Sequence, residues 1–310
     1  MALSSHLTLL PIVLGPTGSG KSDLAIHIAR RIGGEIVNYD SLQVYQGFDI
    51  GTAKVPESER CEVPHHLIDL IEPDQLFTAG DYARVARLSL REIAARQRIP
   101  VMVGGTGLYL RALLEGLSQG PSRDPAIRER LERRAEKRPL SLHRILSRLD
   151  PAAAARIHSN DRKKIIRALE VRLLQGRTIS ELFSEGRDPL TGFHPIKIGL
   201  NPPREVLNQR LDLRTVGIFE AGLLAEVRAL LDSGVPPHAK PFESIGYKQA
   251  LLVLDGRLTL EQAVESTQLE TRQYAKRQIT WFRKETGVQW LEGCGGDPEV
   301  RARALVLCGK

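Results

Sequence analysis

Apolar and polar positions follow two regimes along this chain. In the first, short apolar runs alternate with stretches of helical spacing. Pro11–Leu14 predicts a buried strand, with Pro11 at its start, where no ladder donor is lost. Ser22–Ile32 places Leu24, Ile28 and Ile32 on one helical side, and Gly33-Gly34 ends that helix. Glu35–Tyr39 reads as a second strand with Asp40 at its C-terminal end. Leu67–Leu70 reads as a short third strand and Asp81–Arg98 as a basic amphipathic helix. Pro100–Val103 reads as a fourth strand, running into Gly104-Gly105-Thr106-Gly107. Strand, loop, helix and strand in this order predict an α/β fold, a parallel sheet flanked by helices.

The second regime runs from Gly116–Pro121 to about Gly192 and carries helix signals without a convincing strand. Asp124-Pro125 and Asp150-Pro151 each place an N-cap before a proline at the first helical position. Asp161 caps a further helix, Arg162–Leu174, which stops at Gly176. This stretch predicts an all-helical insertion domain over residues 119–192, set into a core of residues 1–118 and 193–310. In the core, Ile196–Leu200 resumes the sheet, Arg204–Leu231 and Thr259–Glu285 are long helical patterns, and Val288–Leu291 reads as a last strand.

Charge and cysteine usage narrow the function classes. The 310 residues carry a net charge of +7, which fits an anionic partner or plain solubility. Cys61, Cys294 and Cys308 lack zinc or disulfide spacing and read as reduced thiols. The apolar run Leu7–Leu14 has no basic segment before it and leads straight into a glycine-rich loop, so it reads as a core strand and not a signal peptide. No stretch approaches the roughly 20 apolar residues of a membrane span. A cytoplasmic protein is expected.

Gly15-Pro16-Thr17-Gly18-Ser19-Gly20-Lys21-Ser22 matches GxxxxGK[ST] at every fixed position, between a predicted strand and a predicted helix. That context defines a P-loop, and with it a P-loop NTPase-like sheet. Backbone N–H groups curl around phosphate oxygens, the helix N-terminus adds its positive end, Lys21 adds a point charge, and the Ser22 hydroxyl suits Mg²⁺. The apolar strand ending in a metal-holding Asp, expected of an ATPase or kinase, is not clear. Ligands of open α/β sheets sit beyond the carboxyl ends of the strands, where Asp40 and Thr106 project. Asp40 there is a candidate base or metal ligand; the bland alternative is a turn or cap residue.

These residues carry a resemblance. The P-loop, Asn38–Lys54 (NYDSLQVYQGFDIGTAK), Pro64–Asp69, Val103–Tyr109, Asn160-Asp161 with Ile166–Val171, Ser244–Tyr247 and Thr271–Arg283 (TRQYAKRQITWFR) resemble the tRNA dimethylallyltransferases, in family order from about Leu14 to Leu291. The resemblance implies transfer of a dimethylallyl group from its diphosphate to N6 of the adenosine 3′ of a tRNA anticodon. The P-loop would hold the diphosphate, with Mg²⁺ as cofactor. Asp40 would be the base, and Thr106 and Arg214 would complete the catalytic set. From position alone Arg214 is an ordinary helix charge.

The resemblance also implies a tRNA surface. Asp40, Ser41, Leu42, Gln43 and Gly104 would lie beside the target base. Lys163, Lys164, Ile165, Ile166 and Arg167 would face the tRNA, as would Glu243, Ser244, Ile245, Gly246, Tyr247 and Lys248. Lys276, Arg277, Gln278, Thr280, Trp281 and Arg283 would do so on the last long helix. There Arg272, Lys276 and Arg283 share one helical face, and Tyr274 and Trp281 another; core packing is the bland reading for Trp281. His65 and His66 read as packing residues, since neighbours on a strand point apart, and Arg128–Arg138 as a solvated helix face. Tyr39, Val55 and Val216-Gly217-Ile218 depart from the family pattern, and Gly217 would interrupt its helix. Three other functions fit parts of the pattern: an ATP-dependent small-molecule kinase, a prenyltransferase acting on free adenine nucleotides, and a non-catalytic RNA binder. A monomer is the default expectation.

Overall fold

The computed structural model describes residues 7–60, 63–118 and 120–310; Cys61 lies outside these. The chain forms two compact units. One comprises residues 1–114 with 190–310, and the other residues 115–189.

The larger unit is built on a six-stranded sheet in the order β3-β2-β4-β1-β5-β6, every pairing parallel. Its strands are β1 (Thr8–Leu14), β2 (Gly34–Asn38), β3 (His65–His66), β4 (Ile99–Val103), β5 (Phe193–Asn201) and β6 (Val288–Glu292). Strand residues point alternately to the two faces. Leu10, Ile12 and Leu14 of β1 join Val37 and Met102 on one face, under α2 (Ala79–Ala95) and α3 (Gly107–Leu114). Val13, Ile36, Val101 and Ile198 point to the other face, under α1 (Lys21–Ile32) and α13 (Pro298–Leu307). A parallel sheet covered on both faces needs these near-continuous apolar runs.

Three sequence expectations change here. Pro11 is internal to β1, opposite Ile196 of β5; pairing with β4 begins only at Ile12, so the missing N–H falls where one neighbour's ladder has not started. The third strand is His65–His66, because Leu67 and Asp69 take left-handed backbone (φ 62° and 52°) and end it. The two histidines do find different partners, the Val63 carbonyl for His65 and the buried Glu35 carboxylate for His66. Arg204–Leu231 is two helices, α9 (Arg204–Glu220) and α10 (Leu223–Asp232), separated at Gly222 (φ 102°) and not at Gly217, which sits inside α9 in open space.

Two further helices complete this unit, α11 (Tyr247–Leu254) and α12 (Leu260–Phe282). With α9 and α10 they pack a third apolar cluster onto Val44, Tyr45 and Phe48 of the long β2–β3 connection. That connection is pinned by polar bonds too: Glu226 accepts from the Asp49 and Ile50 amides and from the Tyr247 hydroxyl. The buried Lys54 ammonium bonds the Tyr45 carbonyl and pairs with Asp49 and Asp69.

The smaller unit contains α4 (Pro125–Lys137), α5 (Ser141–Leu149), α6 (Pro151–Arg156), α7 (Arg162–Gln175) and α8 (Ile179–Ser184). Asp124, Asp150 and Asp161 cap α4, α6 and α7 through their side chains. Leu131, Leu142, Leu146, Ile165, Ile166 and Leu169 form its core. Beside that core, the fully buried Glu170 carboxylate accepts from Arg128, from Arg167 and from the Asp124 amide. Arg128 is thus a structural partner and not part of a merely solvated face.

Candidate active site

The P-loop leaves β1 and enters α1 as its motif requires. Gly18 has φ 77°, and a side chain there would meet Leu211 Cδ2 at 2.6 Å, so only glycine suits it. Gly20 is the N-cap of α1 and offers no side-chain cap, so the first N–H groups of the helix lack intrahelical partners and face the loop's concavity. Lys21 Nζ folds back onto the Pro16 carbonyl at 2.7 Å.

Asp40 and Thr106 meet across the carboxyl ends of β2 and β4. Asp40 Oδ1 accepts from the Leu42 amide at 2.9 Å, closing a tight turn, and Oδ2 lies on the Gly105 side. Thr106 Oγ1 accepts from the Ser41 amide at 3.0 Å and donates to Ser41 Oγ at 3.1 Å. Beneath them the buried Tyr39 donates to the Val13 carbonyl at 2.8 Å, and its ring occupies the space a side chain at Gly104 would need.

Helix α9 brings two arginines to the same loop. Arg214 Nη1 donates to Thr17 Oγ1 at 3.2 Å, and Arg210 Nε donates to the Gly18 carbonyl at 2.9 Å. Much of Arg214 is exposed, but its guanidinium turns into the crowded crevice. There desolvation lowers its pKa, Asp40 opposes that shift and Arg210 adds to it. Desolvation lowers the Lys21 ammonium to about 7, Arg214 pushes the same way, and Asp40 resists. Lys21 and Arg214 therefore flank one carboxylate, with Arg210 beside Arg214. The crevice holds more positive charge than the chain itself satisfies, the condition of a polyanion site.

Known proteins resemble this chain over most of its length. A family model described as IPP transferase matches residues 43–285, and one described as isopentenyl transferase matches residues 8–68. A tRNA dimethylallyltransferase of Solibacter usitatus is 57% identical over 296 residues, covering 96% of each chain. Another, of Koribacter versatilis, is 53% identical over 300 residues, covering 96% of this chain and 97% of that one. The chain belongs to the IPP transferase family. Among solved structures, a tRNA isopentenylpyrophosphate transferase of Bacillus halodurans superposes with a TM-score of 0.72 at 37% identity, covering 97% of this chain and 96% of that one. A eukaryotic dimethylallyltransferase, described as acting on tRNA, gives a TM-score of 0.80 at 30% identity, covering 95% of this chain and 78% of that one.

For an IPP transferase, the residues expected to face RNA divide into two groups. Lys163, Lys164, Lys276, Arg277, Thr280 and Arg283 are exposed, and Trp281 is 36% exposed with the Arg111 guanidinium 4.9 Å above its ring. Lys164 pairs with Asp161, Glu243 with Lys240, and Lys248 with Glu270. Ser41, Leu42, Ser244 and Ile245 are half-buried, as is Gln43, whose amide donates to the Thr52 and Ala53 carbonyls.

The side chains of the second group are buried or engaged within the protein. Ile165 and Ile166 lie on the core side of α7, Tyr247 is fully buried against Phe48 and Phe242, and Gly104 and Gly246 are buried. Gln278, 6% exposed, bonds the protein on both sides. Arg167 is spent on Glu170 and on the Pro121 carbonyl, and Arg272 on Asp212. The sequence reading missed Arg210, although it lies one helical turn before Arg214.

Ser22, in the first turn of α1, lines a small cleft with Asn38 and Gln43. Among the described residues no group of three or more His, Cys, Asp or Glu could hold a metal. The Ser22 hydroxyl is the protein ligand that a Mg²⁺ carried mainly by phosphate oxygens and water would use here.

Proposed function

We propose that this protein transfers a dimethylallyl group from dimethylallyl diphosphate to N6 of the adenosine 3′ of the tRNA anticodon (position 37), giving N6-isopentenyladenosine. The observation that supports this best is the crevice itself. A P-loop with surplus positive charge stands beside one carboxylate, Asp40, and one hydroxyl, Thr106, on a chain of the IPP transferase family.

The bond from C1 of the dimethylallyl group to the diphosphate oxygen breaks as the N6–C1 bond forms. The adenine amine is a weak nucleophile, because its lone pair is delocalised into the ring. Asp40 accepts the N6 proton, help that is typically worth about 10²–10⁴-fold. Positive charge develops on the allylic carbon, and negative charge on the departing diphosphate. Lys21, Arg214 and the P-loop amides stabilise that anion, and Mg²⁺ held by Ser22 supplies further neutralisation when bound. Thr106 Oγ1, tied to Ser41, holds the turn that aims Asp40. The target base leaves the loop stack to reach these groups. Lys163, Lys276 and Arg283, exposed cations without a closer role, contact RNA phosphates in this reading.

The test is transfer of label from radiolabelled dimethylallyl diphosphate, with Mg²⁺, to unmodified tRNA, alongside AMP and ATP-only reactions. Label at the adenosine 3′ of the anticodon supports the proposal. Label only in AMP keeps the chemistry and overturns the partner. Phosphate moving from ATP, with no prenyl transfer, overturns both.

A further inference from the structure

Helix α12 sends one side chain into the floor of the crevice. Gln278 Oε1 accepts from the Thr17 amide at 2.8 Å, and Gln278 Nε2 donates to the Gly105 carbonyl at 3.0 Å. The two contacts join segments 261 and 173 residues away in sequence. Both distances are those of good hydrogen bonds, and the amide is used on both sides.

Its partners are the two halves of the reaction site. Thr17 lies at the centre of the P-loop, and its hydroxyl accepts from Arg214. Gly105 directly precedes Thr106, and Asp40 Oδ2 lies 3.7 Å from where a Gly105 side chain would begin. A side chain at Gly105 would collide with Gln278 Nε2. The Gln278 amide therefore spans the gap between the loop that holds the leaving group and the loop that carries the base.

We propose that Gln278 is a positioning residue that sets the distance between the P-loop and the Asp40–Thr106 loop. In a transfer reaction that distance decides whether nucleophile, carbon and leaving oxygen line up, and misplacement by about 1 Å can cost roughly 10²-fold. The buried amide is neutral, so it fixes geometry without adding charge to a crevice already rich in it.

The kinetic arm of the test rests on the proposed transfer reaction, and a second arm does not. Gln278→Leu and Gly105→Ala remove the strut from opposite ends. Each should lower kcat about 30-fold while the KM for dimethylallyl diphosphate moves less than about threefold, because the loop survives and its alignment is lost. The double variant should be no slower than either single one within about threefold, since the same connection is already broken.

The second arm is amide hydrogen exchange at Thr17 in the donor-free protein. Exchange should be slow in the wild type and about tenfold or more faster in both variants, because Gln278→Leu removes the amide's acceptor and Gly105→Ala displaces it. Unchanged kcat in an active enzyme, losses that multiply in the double variant, or unchanged exchange at Thr17 would each overturn the proposal. If the wild type transfers nothing to tRNA, the transfer reading fails, and the strut is judged on exchange alone. If Gln278→Leu does not fold, Gly105→Ala carries both arms.

Discussion

Two clusters of basic side chains occupy opposite electrostatic conditions in this molecule. In the helical unit, Arg128 and Arg167 surround the buried Glu170. Burial alone would raise the pKa of that carboxyl, but hydrogen bonds from the two arginines and from the Asp124 amide hold it at about 2. The Arg128 pKa is raised in turn, chiefly by its bond to Glu170. In the crevice, Lys21 and Arg214 are shifted the other way, by desolvation first and by neighbouring cations next. Arg128 has its counter-charge within the chain, whereas Lys21 and Arg214 are desolvated beside a single carboxylate. Exposure and residue type do not separate the two cases; the direction of the shift does.

The sharpest way to break this contrast is to remove charge from each cluster. Lys21→Ala should lower kcat for transfer by about 10³-fold, as loss of a main anion-stabilising group does, with little change in thermal midpoint. Activity within tenfold of wild type would make Lys21 dispensable. Asp40→Ala should lower turnover by about 10²-fold or more and leave tRNA binding intact, as loss of a general base does; near-normal turnover would exclude that role.

Arg128→Ala should do the reverse. It leaves Glu170 buried with one fewer partner, destabilises the helical unit by about 3 kcal/mol, and keeps turnover per folded molecule. Hydrogen exchange in α4 and α7 would show it, and unaltered protection there would refute it. The Glu170 carboxyl has a folded pKa of about 2 against an ordinary 4.5, so its contribution is complete above pH 4.5 and is lost as pH falls toward 2. Acid unfolding of α4 and α7 should begin in that window, and at higher pH in Arg128→Ala. Onset above pH 5 in the wild type would count against Glu170 as the trigger.

Lys21 gives a smaller signal. With the donor absent its pKa is about 7, and a bound diphosphate favours its charged form. At pH 8 the wild type should take up close to one proton more per pyrophosphate bound than Lys21→Arg, whose guanidinium stays charged, and the difference should vanish by pH 6. Calorimetry in buffers of different ionisation enthalpy measures this, and equal uptake at pH 8 would contradict the lowered lysine. Smallest of all, Lys276→Ala should flatten the salt dependence of tRNA affinity by about one unit, as loss of one phosphate contact does. An unchanged slope would place Lys276 away from the RNA backbone.

How legible each feature was in sequence follows from how local its cause is. The P-loop was readable because its glycines, Lys21 and Ser22 act within eight neighbouring residues. Asp40 and Thr106 were placed by the rule that strand ends gather at one edge of a parallel sheet. The caps of α4, α6 and α7 were readable because an Asp acts three residues ahead of itself. Gln278 was assigned to the RNA surface by resemblance, within the run Lys276–Arg283, and only the packing of α12 shows that its phase turns it inward. Ile165 and Ile166 could have been set aside on helical phase alone, since Ala168 and Leu169 continue the same buried stripe. The break at Gly222 was hidden by a helical pattern that runs through it.

The Gly295 amide donates to the Ser19 carbonyl at 2.8 Å, so the phosphate loop near the start of the chain is buttressed by the turn that follows its last strand. The protein is made from its N-terminus, and this loop leaves the ribosome long before its support. While β6 and Gly295 are still unsynthesised, the nascent chain carries a complete phosphate-binding motif without a finished phosphate site. Completion of the loop's backbone support therefore waits on β6 and the turn after it.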